Sequence, residues 1–201
     1  MRCPWAEGQA YFHPYHDHEW GVPLFDDRLI FEHLTLEAFQ AGLSWLIVLR
    51  KREAFRAAFA DFDPVRVAAF GDDDITRLRA DPGIVRNVQK IRAAIANARA
   101  FCAVQQEAGS FAAWIWSFVE GRPVQNAWQA QSDVPPVSPL AERVSAELKR
   151  RGFAFVGPTI VYAHLQATGL INDHLVSCPR HAELAAIVPD CEQRWRGLRK
   201  S

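Results

Sequence analysis

The stretch LEAFQAGLSWLIVLRKR, residues 36–52, carries apolar side chains around almost the whole circumference of a helix. Leu36, Phe39, Leu43 and Ile47 fall on one flank and Trp45, Val48 and Leu49 on another, the pattern of a helix or helix pair buried in a large core. One narrow polar strip interrupts it: Glu37, Gln40 and Ser44, whose spacing places them on one helical face. An isolated buried carboxylate costs several kcal/mol or more. Glu37 is therefore either paired with a helix end or an arginine, or it awaits a ligand. Its neighbours favour the second reading. Trp45 follows two turns later, and Trp5, Tyr11, Phe12, Tyr15 and Trp20 lie upstream. A carboxylate beside aromatic faces suits a flat, cationic, nitrogen-rich ligand, because the rings stack on it and the carboxylate accepts its N–H groups.

The 201 residues suit one domain or two small lobes sharing a core. Lys and Arg number 23, as do Asp and Glu, so net charge offers no attraction to a polyanion. A nucleic-acid site must come from local features, and runs such as Arg50-Lys51-Arg52 and Lys149-Arg150-Arg151 are commonly just solvated faces. With no secretory segment and no bilayer-length apolar run, the expectation is a soluble, cytoplasmic protein without a membrane partner. Four cysteines in such a chain point to a metal before a disulfide framework.

Pro4, Pro14 and Pro23 make the first two dozen residues an ordered, irregular arm. Asp26 and Asp27 start a helix, and Phe55, Phe59 and Phe62 continue helical spacing beyond Arg52. Asp63-Pro64 caps a short helix to Phe70, and Asp72 to Asp74 cap another through Leu78. After the turn Asp81-Pro82-Gly83 a long helix is predicted over 84–106, then segments over 111–118, from Pro139 to Arg151 and from Pro158 to Thr168. Residues 121–139 read as a loop between lobes. No strand pattern is present, and the fold class is all-α, a compact multi-helix domain.

His174 and Cys178 are spaced H-x-x-x-C near one end, and Cys3 and His16 lie near the other. Either pair alone is an ordinary helix spacing. Together, two thiolates and two imidazoles make a closed tetrahedral zinc site of the structural type, joining the N- and C-terminal segments. Cys102 and Cys191 read as incidental. The segment ITRLRADPGIVRNVQK, residues 75–90, reads helix, turn, helix, with Gly83 and the following amides placed to hold a DNA phosphate. It lacks the Gly-x-Gly usual in such hairpins.

Four segments then fall in order: YHDHEWGVP (15–23), LE followed by QAGLSW (36–45), RGFAFVG (151–157) and GLINDH (169–174). They resemble the DNA-3-methyladenine glycosylase I family over nearly the whole chain to Cys178. The resemblance implies an enzyme of the helix-hairpin-helix glycosylase superfamily, divergent within it, that flips N3-methyladenine out of alkylated double-stranded DNA and hydrolyses its N-glycosidic bond. Free 3-methyladenine would be the product. It implies one structural zinc per chain on Cys3, His16, His174 and Cys178, and a domain of two helical lobes over 1–178 followed by a tail, 179–201. Glu37 and Tyr15 would bind the base edge, Trp45 would stack, and Trp5, Trp20 and Phe12 would line the site. Gly42 and Leu43 would fill the gap left by the flipped nucleotide; the Gly83 contact to DNA rests on the turn at 81–83 read above. Phe12 departs from the family, which places a tyrosine there. The family lacks the aspartate used elsewhere in the superfamily, so Glu37 is assigned recognition first and charge stabilisation second. A monomer is expected. The alternative reading is a non-catalytic helix-hairpin-helix DNA-binding module, and a zinc hydrolase would need an open metal position.

Overall fold

The computed structural model describes residues 1–199. Its helices are α1 (Pro4–Glu7), α2 (His13–His18), α3 (Asp27–Gln40), α4 (Trp45–Arg50), α5 (Arg52–Ala58), α6 (Pro64–Ala68), α7 (Asp72–Ala80), α8 (Val88–Ala108), α9 (Phe111–Ser117), α10 (Pro139–Arg150), α11 (Pro158–Ala167), α12 (Pro179–Ala186) and α13 (Val188–Leu198). The all-α expectation holds, with one addition: Val124–Gln125 pairs in parallel with Ile171–Asn172. Among the described residues no helix is long and apolar enough to cross a membrane.

The caps explain most boundaries. The Asp26 carboxylate accepts from the Leu29 amide (3.0 Å) and starts α3, while Asp63, followed by proline, accepts from Val65 and Arg66 and starts α6. Ser110 and Ser138 do the same for α9 and α10. Asp27 leaves its own helix end and accepts from the first amides of α9, Phe111 (2.8 Å) and Ala112 (2.7 Å), locking α9 across α3.

Helix α3 is buried on every side from Ile30 to Phe39, and its rings meet those of α5 and α8: Phe39 lies 4.8 Å from Phe55, and Phe31 5.2 Å from Phe101. The deciding stretch is a helix pair. α3 stops at Gln40, Gly42 takes a left-handed φ of +77°, and Ser44 becomes the N-cap of α4. Leu43 (38% exposed) and Ile47 (42%) consequently leave the buried flank predicted for them, and Ser44 leaves the strip of Glu37 and Gln40. The long helix is displaced as well. Asn87 is its N-cap, accepting from Gln89 and Lys90, so α8 begins four residues beyond the predicted start and Gly83 lies outside it.

Beyond Cys178, α12 and α13 fold back onto the body. Trp195 is buried, donates from its indole to the Ala113 carbonyl (3.0 Å), and lies so close over Gly121 that a Cβ there would sit 2.8 Å from the ring. Gly169 (φ +76°) lets the arm pass against its backbone; a Cβ would come within 2.5 Å of the Pro23 nitrogen.

Candidate active site and metal cluster

Helix α2 carries Tyr15 and His16, and consecutive helical side chains point about 100° apart. Tyr15 turns into a cavity and His16 into a cluster of sulfur and nitrogen atoms. Trp5 stands between them, its ring 6.3 Å from Tyr15, 5.4 Å from His16 and 5.1 Å from Trp20.

The cavity measures about 200 Å³ and is lined by Trp5, Tyr15, Trp20, Glu37, Gln40, Trp45, Gln131, Val134, Ala163, Gln166 and Asp173. That is below the range of about 300–1,000 Å³ of drug-sized sites and matches a single flat ring system. Tyr15 and Trp45 have ring centroids 5.4 Å apart, tilted by 47°. Glu37 is 3% exposed, and its Oε2 is buried without a hydrogen-bond partner. Burial pushes its pKa up to about 8. The Tyr15 hydroxyl is pushed well above the usual phenol range, first by burial and then by the nearby Glu37. The Trp45 indole N–H is also buried and unpartnered. The site thus holds an acceptor and a donor left unsatisfied among rings, an arrangement that loses free energy unless a polar ligand completes it.

Asp173 behaves in the opposite way. Its Oδ1 accepts from Asn126 and the Trp128 indole, both at 2.7 Å, and its Oδ2 accepts from the Tyr162 hydroxyl and Gln166 (2.7 Å). Through Asn126 and Trp128 it fastens the 121–139 segment, which supplies Gln131 and Val134 as one cavity wall. Sequence reasoning assigned that segment to a linker and overlooked Asp173, although it sits inside the GLINDH motif.

Phe12 does not line the cavity; it stands edge-on against Trp5 at 5.7 Å. Gly42 and Leu43 form an exposed turn between the cavity-lining Gln40 and Trp45. The Gly83 amide is already used, donating to the Asp81 carboxylate at 2.7 Å. Most side chains of the two basic runs are paired within the chain. Arg52 bridges Glu19 and Glu32, Lys51 donates to the Pro82 and Gly83 carbonyls, Arg150 pairs with Glu147, and Arg151 pairs with Glu107 and Glu147.

Cys3, His16, His174 and Cys178 are all buried, with ligand atoms within 4.8 Å of one another. Cys3 Sγ lies 3.5 Å from His174 Nδ1, and Cys178 Sγ lies 3.7 Å from both His16 Nε2 and His174 Nδ1. Metal bonds of about 2.3 Å to sulfur and 2.0–2.1 Å to nitrogen, arranged tetrahedrally, give sulfur–nitrogen edges of about 3.6 Å. The outer shell agrees. His16 Nδ1 lies 2.8 Å from Asp17 Oδ1, and His174 Nε2 lies 3.1 Å from the Trp20 carbonyl, so each ring spends one N–H outward and turns its bare nitrogen to the cluster. Arg2 grips Asp17 and holds its carboxyl well below the ordinary range. Burial pushes the Cys3 thiol up to about 12 and His174 down to about 4. These residues could hold a metal ion.

A family model described as methyladenine glycosylase matches residues 5–181. The chain belongs to the methyladenine glycosylase family. Among its relatives, DNA-3-methyladenine glycosylase 1 of Escherichia coli (strain K12) is 46% identical over 177 residues, covering 88% of this chain and 95% of that protein. DNA-3-methyladenine glycosylase of Haemophilus influenzae is 42% identical over 178 residues, with 89% and 96% covered. A variant of 3-methyladenine DNA glycosylase I solved in complex with 3-methyladenine superposes with a TM-score of 0.86 at 39% identity, covering 89% of this chain and 96% of the other. The match ends near His181, so the glycosylase family model leaves out most of the helical tail.

Proposed function

We propose that the protein is a monofunctional DNA repair glycosylase that extrudes N3-methyladenine from alkylated duplex DNA and hydrolyses its N-glycosidic bond. The observation that carries this reading is Glu37: a buried carboxyl lining the same cavity as indole and phenol rings, with one oxygen unpartnered, in a space sized for one base. An adenine alkylated at N3 is cationic while attached to the sugar. Its positive charge favours the ionised form of Glu37, and Tyr15 and Trp45 supply the faces that hold its ring. Because the base already carries charge, its departure needs no general acid, and the protein's contribution is positioning and field. Glu37 binds the base edge and then lies near the positive charge that passes to the sugar. Once the bond breaks the base is neutral, and the attraction that seated it disappears.

Extrusion costs a few kcal/mol, least at a damaged pair. The apolar Leu43, standing exposed beside Gly42 on the cavity rim, is suited to fill the gap in the stack. The turn that precedes α8 would meet the DNA backbone through amides other than that of Gly83. Zinc on Cys3, His16, His174 and Cys178 would tie the arm to the C-terminal half; with four protein ligands it serves as a structural clamp.

The test is to incubate the protein with methylated duplex DNA and identify the released bases. Free 3-methyladenine together with abasic sites is the expected result. Binding of DNA without base release would overturn the assignment and leave a DNA-binding module.

A further inference from the structure

We propose that Lys90 is a positioning residue that holds the Ala41–Ser44 turn at the height over the cavity that wedging into a duplex requires. This rests on the base-extrusion reading above. The turn is lightly anchored. A Cβ at Gly42 would meet nothing within 4 Å, Leu43 is 38% exposed, and a single-turn hydrogen bond from the Leu43 amide to the Gln40 carbonyl (2.6 Å) closes the loop. Exposed turns of this kind move within nanoseconds to microseconds. A wedge must keep its shape against stacked base pairs.

Lys90 supplies the anchor. It lies in the first turn of α8, is 7% exposed, and donates from Nζ to the carbonyls of Phe39 (2.8 Å) and Ala41 (2.5 Å). These oxygens close α3, where carbonyls lack intrahelical donors and the helix dipole is negative, so a cation there is favoured. Among the described residues Lys90 forms no ion pair. Water could satisfy the same carbonyls without burying a charge. What the lysine adds is a fixed link from the rim of the cavity to a 21-residue helix set in the core.

A second lysine runs the other way. Lys51, at the junction of α4 and α5, donates to the carbonyls of Pro82 (2.8 Å) and Gly83 (3.1 Å). Lys90 thus ties the end of α3 to the first turn of α8, Lys51 ties the α4–α5 junction to the turn before α8, and a load on Leu43 passes into α8.

Lys90→Met keeps the apolar stem and removes both donated bonds. Its affinity for free 3-methyladenine, read by tryptophan fluorescence, is expected to stay within about twofold of the wild type, and single-turnover release from a methylated single strand within about threefold. Release from the same lesion in duplex DNA is expected to fall at least about tenfold, with faster amide exchange at Gly42 to Trp45. Lys51→Met, at a half-buried side chain, should shift duplex release in the same direction and serves as the readout should Lys90→Met not fold. Unchanged duplex release in these variants overturns the proposal. So do equal losses on free base, single strand and duplex, which would mean that the lysine shapes the cavity itself. Failure of the wild type to release any base would instead remove the glycosylase reading.

Discussion

Glu37 and Asp173 line the same cavity, yet Asp173 is saturated by four donors while Glu37 keeps a buried oxygen with none. One carboxylate builds the wall and the other waits for a ligand. The difference lies in the donors within reach: two side-chain amides, an indole N–H and a phenol bond Asp173, whereas none bonds the Glu37 Oε2, which shares the cavity with Tyr15 and Trp45.

Replacing Glu37 by Gln keeps the shape and removes the charge. Excision of 3-methyladenine from DNA should fall by about 10–100-fold, the worth of one charge-assisted hydrogen bond of roughly 1.5–3 kcal/mol. The melting temperature should not drop. An unchanged excision rate would take Glu37 out of the mechanism.

The same substitution should reveal a pH signature in stability. Burial raises the pKa of Glu37 in the folded protein to about 8, against an ordinary value near 4.5. Its favourable contribution is complete below about pH 4.5 and is lost as pH rises to 8, because only the unfolded chain ionises freely across that window. Melting curves of Glu37→Gln and wild type should therefore coincide near pH 4 and diverge towards pH 8, with the variant the more stable. Parallel curves would show that the carboxyl is solvated.

Replacing Cys178 by Ser removes one thiolate from a set whose edges fit a tetrahedral ion. Metal analysis should fall well below one ion per chain, and the melting temperature by about 10 °C or more, since a structural zinc contributes directly to folding. Retention of one metal and of stability would disprove the ligand set.

Asp173→Asn should loosen the 121–139 segment. At roughly 2–4 kcal/mol for charge-assisted bonds weakened at Asn126, Trp128, Tyr162 and Gln166, the melting point should drop by about 5–10 °C. Limited proteolysis should then cut within 121–139 first. Resistance there would show that other contacts hold the wall.

How far the chain could be read depended on where its signals were local. Asp26, Asp63 and Ser138 accept from amides two or three residues away, Pro64, Pro139 and Pro158 stand at the first helical positions, and the helices start where these residues place them. The cluster of Cys3, His16, His174 and Cys178, which could hold a metal ion, was legible because its chemistry is rare. The break after Gln40 was signalled by Gly42 but masked by apolar spacing, and Ile84 and Val88 masked the cap at Asn87 in the same way. Asp173, Gln131 and Val134 lay beyond reach, because their roles come from contacts between segments far apart in sequence. The docking of Trp195 on Ala113 is of that kind too.

Tyr15 and His16 are neighbours on one short helix, and this restricts how such a protein can change its substrate. Any shift of α2 that enlarges the cavity also drags His16 out of the cluster, so that side of the chamber is frozen. Broader acceptance of bulkier bases would have to be reached from the facing segment, at Gln131 and Val134, where residues can be exchanged without disturbing the Cys/His cluster.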